Sequence, residues 1–365
     1  MAINATKVTV RSVIKHIVKA TITNIRGMED GADRILPQML WGPYGVAKSS
    51  AVRAAADLLA EEFGSFKLID TRVSQLDSTD FTGMPQVAND MTRFAVPEWL
   101  PTEERDGKYG MWFLDEVQLA SASVEHVTYQ LLNDGRIGNY ELPKGWVVIA
   151  ASNRPQDGAG VHGRRDAAQM NRFSQHFDVY QPTAHWVEDY ARPAGLDASI
   201  IAFLMFRGEG VGGQNGCMHE FPDGGAPKDR VAIATHRSWT QASRFFDYGY
   251  NAEEEAEAFE SCLGAGVAAE FMGFLKTMRN LPNVMDYLDD PDQPTPEELS
   301  TQFALTSILS QRCDPSNLSN ALKVVRSMNE ELVPVFWAAT GSRKDVDIIK
   351  GTAEYVDYKV NQDIH

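Results

Sequence analysis

The sequence predicts an α/β core, built on a parallel sheet covered on both faces, followed by an all-helical region. Three observations predict this fold class. Segments of strand length alternate with helical segments up to about residue 182, the strand segments are apolar at nearly every position, and no strong strand pattern returns after residue 238. Near-continuous apolar strands are typical of parallel sheets with helices on both faces. We therefore expect two domains, at residues 1–182 and 183–365.

The first half of the chain supplies the strands of the expected sheet. Valine and isoleucine recur at helical spacing over residues 7–26, which predicts a helix there. A second predicted helix, rich in alanine and leucine, covers residues 49–63. Short apolar segments bounded by turn residues predict four strands, at residues 37–41, 66–71, 110–114 and 146–151.

The second half has helical periodicity interrupted by polar segments. Residues 186–206 and 252–278 are each predicted to form one helix, and helical periodicity resumes over residues 300–339. Residues 208–228 are rich in glycine, asparagine, aspartate and proline, and residues 286–298 are rich in proline and aspartate. Such composition predicts a loop and a connector.

Composition excludes several classes of protein. Of the 365 residues, 43% are hydrophobic and 23% are charged, which excludes disordered and collagen-like chains. No run of 18 apolar residues occurs, so no membrane span is expected. The three cysteines are far apart and odd in number, which predicts neither a disulfide framework nor a zinc site. Because the first residues also lack a secretory pattern, we expect a cytoplasmic protein.

The charge of the chain disfavours nucleic acid as a partner. The formal net charge is −16 and the sequence pI is about 4.9. Proteins that bind duplexes usually carry a basic stripe, and none is visible in the linear sequence. A local basic pore remains open as an alternative, because a ring of several copies can focus a few basic side chains onto one axis.

A phosphate-binding loop is predicted between the strand at 37–41 and the helix at 49–63. The loop fits the pattern G-x-x-x-x-G-K-[ST] with one departure, alanine where the second glycine is usual. Such a loop points backbone N–H groups at phosphate oxygens. The residues expected to bind nucleotide are Gly42, Pro43, Tyr44, Gly45, Val46, Ala47, Lys48, Ser49 and Ser50, together with Asp115.

Three side chains of this loop have particular expected roles. Lys48 would reach the β- and γ-phosphates, and the hydroxyl of Ser49 would complete a magnesium shell. Ala47 raises a question, because a methyl group disfavours backbone angles that glycine permits. We expect Ala47 to adopt the right-handed helical region and binding to survive.

Polar side chains follow two of the predicted strands. Asp115 and Glu116 end the apolar segment that starts at residue 110, and Asn153 follows the segment at 146–151. Two adjacent carboxylates are costly without a cation or solvent, so Asp115 is expected to hold Mg²⁺ with Ser49. Glu116 would polarise the attacking water as a general base or positioning group. Asn153 would hold that water beside the γ-phosphate.

With these motifs in this order, the chain resembles the AAA+ ATPases, and is most similar to their MoxR branch, which is grouped with the dynein-related AAA_5 domains. The similarity extends over about residues 10–340 and is strongest in the first 250. The matching segments are residues 40–45, 80–85, 93–101, 113–116, 129–132, 153–154, 171–173 and 237–239.

The resemblance implies an AAA+ P-loop NTPase core followed by a helical lid, with ATP and Mg²⁺ as cofactors. It also implies a ring of copies, usually six, with each nucleotide at a subunit interface. Arg172 matches the arginine finger that completes a neighbour's site, and Arg237 matches the sensor-2 arginine of the lid. Arg164 and Arg165 lie on the preceding loop and either could take the place of Arg172. A guanidinium suits such work because its charge is permanent and its planar fork fits phosphate oxygens.

The MoxR-like branch further implies two inserts and a class of partner. An insert in helix 2 is expected within residues 78–95, and a second hairpin within residues 134–143. Inserts of this kind typically face a central pore or a docked partner. Members of the branch commonly work with a protein that bears a von Willebrand factor A domain, so a protein of this type is the expected partner.

Three functions remain open at this stage. The first is an ATPase that remodels or activates a protein partner. The second is a nucleic-acid-associated AAA+ motor, which the acidic pI disfavours. The third is a non-catalytic scaffold that uses nucleotide only to lock an oligomer. Ala47 keeps the scaffold in play, whereas Lys48, Asp115 and Glu116 argue against it.

Overall fold

The fold is described from a computed structural model. It describes residues 5–88, 91–154, 157, 170–207, 232–281, 284–341, 343 and 345–362. Contacts between residues divide the described chain into two compact units. The first comprises the described residues up to Gln181, and the second those from Pro182 onward.

The first unit contains a central sheet and two small hairpins. In chain order its strands are β1 (Thr6–Thr9), β2 (Gln38–Trp41), β3 (Lys67–Arg72), β4 (Pro85–Ala88), β5 (Met91–Phe94), β6 (Gly110–Asp115), β7 (Arg136–Ile137), β8 (Tyr140–Glu141), β9 (Trp146–Ser152) and β10 (Gln175–Tyr180). The central sheet has the order β1-β10-β2-β9-β6-β3, and all its pairings are parallel. The predicted fold class, a parallel sheet flanked by helices and followed by a helical region, is confirmed.

Strands β2, β6 and β9 are buried along nearly their whole length, which explains why these segments of the sequence are continuously apolar. Met39 and Trp41 pack on one face, with residues of the helix at 122–134, whereas Leu40 packs on the other face. Successive side chains of a strand point to opposite faces, so a strand covered on both faces is apolar at nearly every position. The helices of this unit are α1 (Val10–Glu29), α2 (Lys48–Phe63), α3 (Ser78–Thr82), α4 (Glu103–Asp106) and α5 (Ala122–Asp134).

The predicted helix over residues 7–26 is wrong at its start. Residues 6–9 form β1, which pairs with β10 at the edge of the sheet. Thr9 then caps α1, since its hydroxyl accepts a hydrogen bond from the backbone N–H of Ser12 at 3.2 Å. Valine and threonine are common in strands, and at residues 6–9 the pairing with β10 stabilises a strand. Strand β10 itself was not predicted from the sequence.

Two antiparallel hairpins project from the first unit. Strands β4 and β5 pair with Pro85 opposite Phe94, inside the segment 78–95 expected to hold an insert. Strands β7 and β8 pair with Arg136 opposite Glu141, inside the segment 134–143 expected to form a hairpin. The described residues therefore contain a hairpin in each of these segments.

The second unit is helical throughout its described residues. Its helices are α6 (Thr183–Trp186), α7 (Ala198–Arg207), α8 (His236–Ala242), α9 (Ala252–Leu263), α10 (Ala265–Arg279), α11 (Val284–Asp289), α12 (Leu299–Arg312), α13 (Leu318–Met328), α14 (Val333–Thr340), α15 (Val346–Lys350) and α16 (Ala353–Gln362). Buried aromatic residues, Trp239 and Phe271 among them, form one of its cores, and Phe336 lies in another. Within the described ranges, no helix is long and apolar enough to cross a membrane.

Three predictions for the second unit need correction. The helix expected at 186–206 is interrupted before α7, where Pro193 lacks an N–H donor and Gly195 has a φ of 66°. The helix expected at 252–278 is broken at Gly264, which separates α9 from α10. The connector expected at 286–298 begins late, because α11 extends to Asp289 and buries Leu288 in the core.

Gly264 provides a test of this break. Its φ is 85°, and an added Cβ would lie 2.9 Å from the backbone oxygen of Ala232. Gly264→Ala should therefore lower the free energy of unfolding by about 1–3 kcal/mol. Gly273→Ala, within α10 and with open space around the added Cβ, should raise it by up to about 1 kcal/mol. Urea unfolding of both variants measures the difference, and a Gly264→Ala variant as stable as Gly273→Ala would contradict the role of this glycine.

Candidate functional site

Most of the predicted site residues lie at one edge of the central sheet. The carboxyl ends of β2, β9 and β6 are neighbours at this edge, because the three strands are adjacent and parallel. The phosphate loop follows β2, Asn153 follows β9, and Asp115 ends β6. In open parallel sheets, ligands bind outside this edge. The structure therefore brings together the three motifs that the sequence separates.

Gly42 opens the phosphate loop at a point where only glycine fits. Its φ is 155°, and an added Cβ would lie 2.8 Å from the backbone oxygen of Val179 on β10. The loop therefore packs closely against the neighbouring strand before it turns into α2. Helix α2 begins at Lys48, so its N-terminal N–H groups face the loop, where an anion would be favoured.

Ala47 contradicts the expectation that it adopts the right-handed helical region. Its φ is 76° and its ψ is 26°, which is the left-handed region. This conformation costs an alanine roughly 1–2 kcal/mol, and glycine would adopt it without that cost. The loop is nevertheless formed, so the packing around it stabilises the strained residue. Among the described non-glycine residues, only Ala47 and Glu116 have a positive φ.

Lys48 lies in a buried cage of oxygens. Its ammonium nitrogen donates to the backbone oxygens of Gly42 at 2.7 Å and Pro43 at 3.0 Å, and to the Asn153 side-chain oxygen at 2.9 Å. The residue is 7% exposed. A buried ammonium is costly unless its donors are satisfied, and these acceptors satisfy it. The contact with Asn153 also joins the ends of β2 and β9 directly.

Ser49 and Asp115 are paired where a magnesium ion is expected. The Ser49 hydroxyl donates to Asp115 Oδ2 at 2.9 Å, and the backbone N–H of Glu116 donates to Asp115 Oδ1 at 2.9 Å. Both oxygens of Asp115 are thus oriented. The described residues contain no group of three or more His, Cys, Asp or Glu that could hold a metal. A hydroxyl and one carboxylate still fit Mg²⁺, which usually takes few protein ligands beside phosphates and water.

Glu116 is held in a strained position at the end of β6. Its φ is 59° and its ψ is 32°, and its carboxylate accepts a hydrogen bond from the hydroxyl of Ser74. Ser74 lies in the helical turn Val73–Gln75 that follows β3, the strand beside β6. Ser74 was not predicted as a site residue, because a serine after a strand carries no distinctive pattern. Strained non-glycine residues cluster at functional sites, since the strain fixes the direction of a side chain.

Arg154 forms a buried network beside the phosphate loop. It donates to both oxygens of Asp157, each at 2.8 Å, and lies 3.5 Å from Asp178 on β10. Burial opposes the charge of Arg154, but its hydrogen bonds to Asp157 and its attraction to Asp178 raise the pKa of its guanidinium. Burial, with a contribution from the Asp157 carboxylate, also raises the pKa of Tyr44 in the loop. Arg154 therefore connects the ends of β9 and β10 around the loop.

Arg172 lies at the opposite edge of the sheet from the phosphate loop. It precedes β10, whose first residue, Gln175, pairs with Gln38 at the start of β2. The loop begins only after Trp41, and three residue steps of a strand extend roughly 10 Å. Arg172 is not placed with Lys48, Asp115 and Asn153. Its guanidinium carbon lies 4.1 Å from the ring centroid of Tyr129.

The remaining predicted arginines are less closely defined. Arg237 is exposed and is the second residue of α8, in the second unit. Arg164 and Arg165 lie outside the described residues. Ser50 is exposed in the first turn of α2.

Comparison with known proteins gives matches in structure only. No protein-family model matches the chain, and no curated protein matches it in sequence. A structure of PCH-2 from C. elegans matches with 15% identity, a TM-score of 0.35, and coverage of 74% of this chain and 70% of that one. RuvB of Thermotoga maritima, described as a Holliday junction branch migration motor, matches with 13% identity, a TM-score of 0.36, and coverage of 85% and 84%. Its P216G mutant matches with 12% identity, a TM-score of 0.36, and coverage of 81% and 82%. Similarity at this level adds nothing to the description of the site.

The strain at Ala47 leads to a direct test. Ala47→Gly should raise the free energy of unfolding by about 0.5–1 kcal/mol, because relief of the left-handed alanine exceeds the entropy that glycine adds to the unfolded chain. Ala60→Gly, the same substitution within α2, should lower it by about 1 kcal/mol. Urea unfolding measures both. Equal destabilisation by the two substitutions would show that Ala47 is not strained.

Proposed function

We propose that the chain is a MoxR-like AAA+ ATPase, which binds and hydrolyses ATP at the subunit interfaces of a ring and thereby remodels or activates a protein partner. The observation that carries the proposal is the joint placement of Lys48, Asn153, Ser49 and Asp115 at one edge of the sheet. Each of these side chains has a chemical reason to face a Mg²⁺–triphosphate. A structural turn would need none of them.

The cage around Lys48 fits a triphosphate. The loop carbonyls and the Asn153 amide oxygen lie where phosphate oxygens would compete for the same ammonium. Asp115 and Ser49 would hold Mg²⁺, which when bound neutralises charge on the phosphate oxygens. Glu116, aimed by its backbone and by Ser74, would orient or deprotonate the attacking water. Asn153 would contribute its amide to the same water.

The position of Arg172 supports a site shared between two copies. Because it lies at the amino-terminal edge of the sheet, it is poorly placed for the phosphate loop of its own chain. A guanidinium at that edge would act on the nucleotide of a neighbour. In a ring, usually of six copies, each chain would supply its arginine to one neighbour, because head-to-tail contacts can close into a ring. We propose Arg237, in the helical unit, as the lid arginine.

The hairpin of β4 and β5 is the surface that we propose for the partner. Several of its large apolar side chains are exposed, which usually marks an interaction site. The exposed residues are Met84, Val87, Met91, Phe94 and Val96. Its base is fixed, since the indole N–H of Trp99 donates to the backbone oxygen of Asp80 at 2.9 Å. A firm base with exposed apolar side chains suits contact with a protein, and a von Willebrand factor A domain is the proposed partner class.

Hydrolysis is tested by removing the carboxylate of Glu116. Glu116→Gln should lower the rate of phosphate release by about 100-fold or more, while the dissociation constant for ATP stays within about twofold, because the amide is a poor base of nearly the same shape. Glu104→Gln, at an exposed position of α4, is the matched control. A wild type that releases phosphate no faster than Glu116→Gln would leave only the nucleotide-locked scaffold.

The proposed partner surface is tested by adding a charge to the hairpin. Val87→Asp should weaken recovery of a von Willebrand factor A domain protein from the native cell by about tenfold or more, since a buried valine contributes about 1.5–3 kcal/mol to an interface. Gln86→Asp adds the same charge at the neighbouring polar, exposed position, whose side chain lies on the other face of the hairpin. Quantitative mass spectrometry of the cross-linked proteins compares the two. Equal recovery with both variants would exclude this apolar surface.

A further inference from the structure

Arg172 is paired with an aromatic ring of its own chain. Its guanidinium carbon lies 4.1 Å from the ring centroid of Tyr129, well within the distance at which a cation is attracted to a ring face. Tyr129 is half-buried on α5, one of the helices that cover the sheet. The contact joins α5 to a turn that lies far from it in the sequence.

The ring of Tyr129 is itself held in place. Its hydroxyl donates to Glu125 Oε1 at 3.2 Å, one helical turn earlier on α5. The ring of His126 lies against it, with centroids 5.6 Å apart. The C-terminal half of α5 is anchored by Leu131 and Leu132, which are buried in the core beneath the sheet. The arginine therefore lies on a fixed surface.

The turn that carries Arg172 is also held in place, by hydrogen bonds that connect it to β2, the strand that precedes the phosphate loop. The indole N–H of Trp41 donates to His176 Nδ1 at 3.2 Å, so the proton of the neutral imidazole is on Nε2. His176 Nε2 then donates to the backbone oxygen of Met170 at 3.0 Å. Two residues after Arg172, the backbone N–H of Ser174 donates to the backbone oxygen of Pro37 at 2.8 Å. The backbone of the turn is thus tied to both ends of β2.

From this geometry we infer that Tyr129 is a positioning residue for Arg172, holding its guanidinium in the direction in which it meets the phosphates bound by a neighbouring copy. The inference rests on the proposed function of Arg172 in a shared site. It adds to that site a residue on α5, which orients the side chain of Arg172 before the neighbouring copy binds.

The ring acts on the flat face of the guanidinium. The cation–π contact therefore fixes the plane in which the N–H groups of Arg172 lie. An arginine has many side-chain conformations, so holding it in one of them removes a cost that would otherwise oppose the transition state.

Substitution of Tyr129 tests the inference in the full-length chain. Tyr129→Ala should lower kcat for ATP hydrolysis by about tenfold, the rate factor that corresponds to loss of a cation–π contact. The dissociation constant for ATP should stay within about twofold, because Tyr129 contacts Arg172, which lies at the opposite edge of the sheet from the phosphate loop. Tyr129→Phe keeps the ring and should restore most of kcat. Asn133→Ala, at an exposed position of the same helix, is the control.

Mixed oligomers show on which copy Tyr129 acts. Lys48→Ala and Arg172→Ala are each expected to be inactive alone, and a mixture should regain turnover because one supplies the arginine and the other the phosphate loop. Adding Tyr129→Ala to the Lys48→Ala chain, which supplies Arg172, should lower the rescued turnover by about tenfold. Adding it instead to the Arg172→Ala chain should leave the rescue in place.

The outcomes separate this inference from the proposed function. A wild type without turnover would overturn both, and a wild type that is active without rescue in the mixture would overturn the shared site. Normal rescue with Tyr129→Ala on the Lys48→Ala chain would overturn the role of Tyr129 alone. Equal loss of rescue with Tyr129→Ala on either chain would do so too. Loss of ATP affinity in Tyr129→Ala, or failure of Tyr129→Phe to restore kcat, would do the same, because it would make the residue a structural one.

Discussion

The hydrogen bonds of the Lys48 ammonium are the interaction on which the site depends. They join the phosphate loop after β2 to Asn153 after β9, and so bring two parts of the sequence to a common point. A buried ammonium without acceptors would be costly, so the loop must curve to present its carbonyls. The same curvature places the start of α2, with Ser49, beside Asp115. A triphosphate would substitute its own oxygens for some of these acceptors, which makes the arrangement both stable and receptive.

The proposed nucleotide-binding residues and Arg172 lie at opposite ends of the strands of the sheet. The edge at the carboxyl ends of the strands holds the groups that we propose face a nucleotide, and Arg172 lies at the other edge, on Tyr129. The hydrogen bonds from Trp41 through His176 to Met170 connect the two edges within one chain.

Much of the core was predictable from the sequence because apolar strands and a phosphate loop are local patterns. The strands β2, β3, β6 and β9 and the helix α2 agree with the prediction to within about two residues. Strand β1 was predicted as helix, because only the edge of β10 selects a strand there. The left-handed Ala47, the partner of Glu116 and the ring beneath Arg172 depend on residues distant in sequence, so no local pattern predicts them.

Calorimetric titration of the wild-type chain with a slowly hydrolysed ATP analogue, with and without Mg²⁺, tests the central claim most directly. If the phosphate loop and Asp115 hold a triphosphate and its cation together, the analogue should bind, Mg²⁺ should strengthen its binding, and Asp115→Asn should remove most of that Mg²⁺ dependence. Absence of binding heat at every Mg²⁺ concentration and at more than one temperature would contradict the claim. So would binding that is identical with and without Mg²⁺.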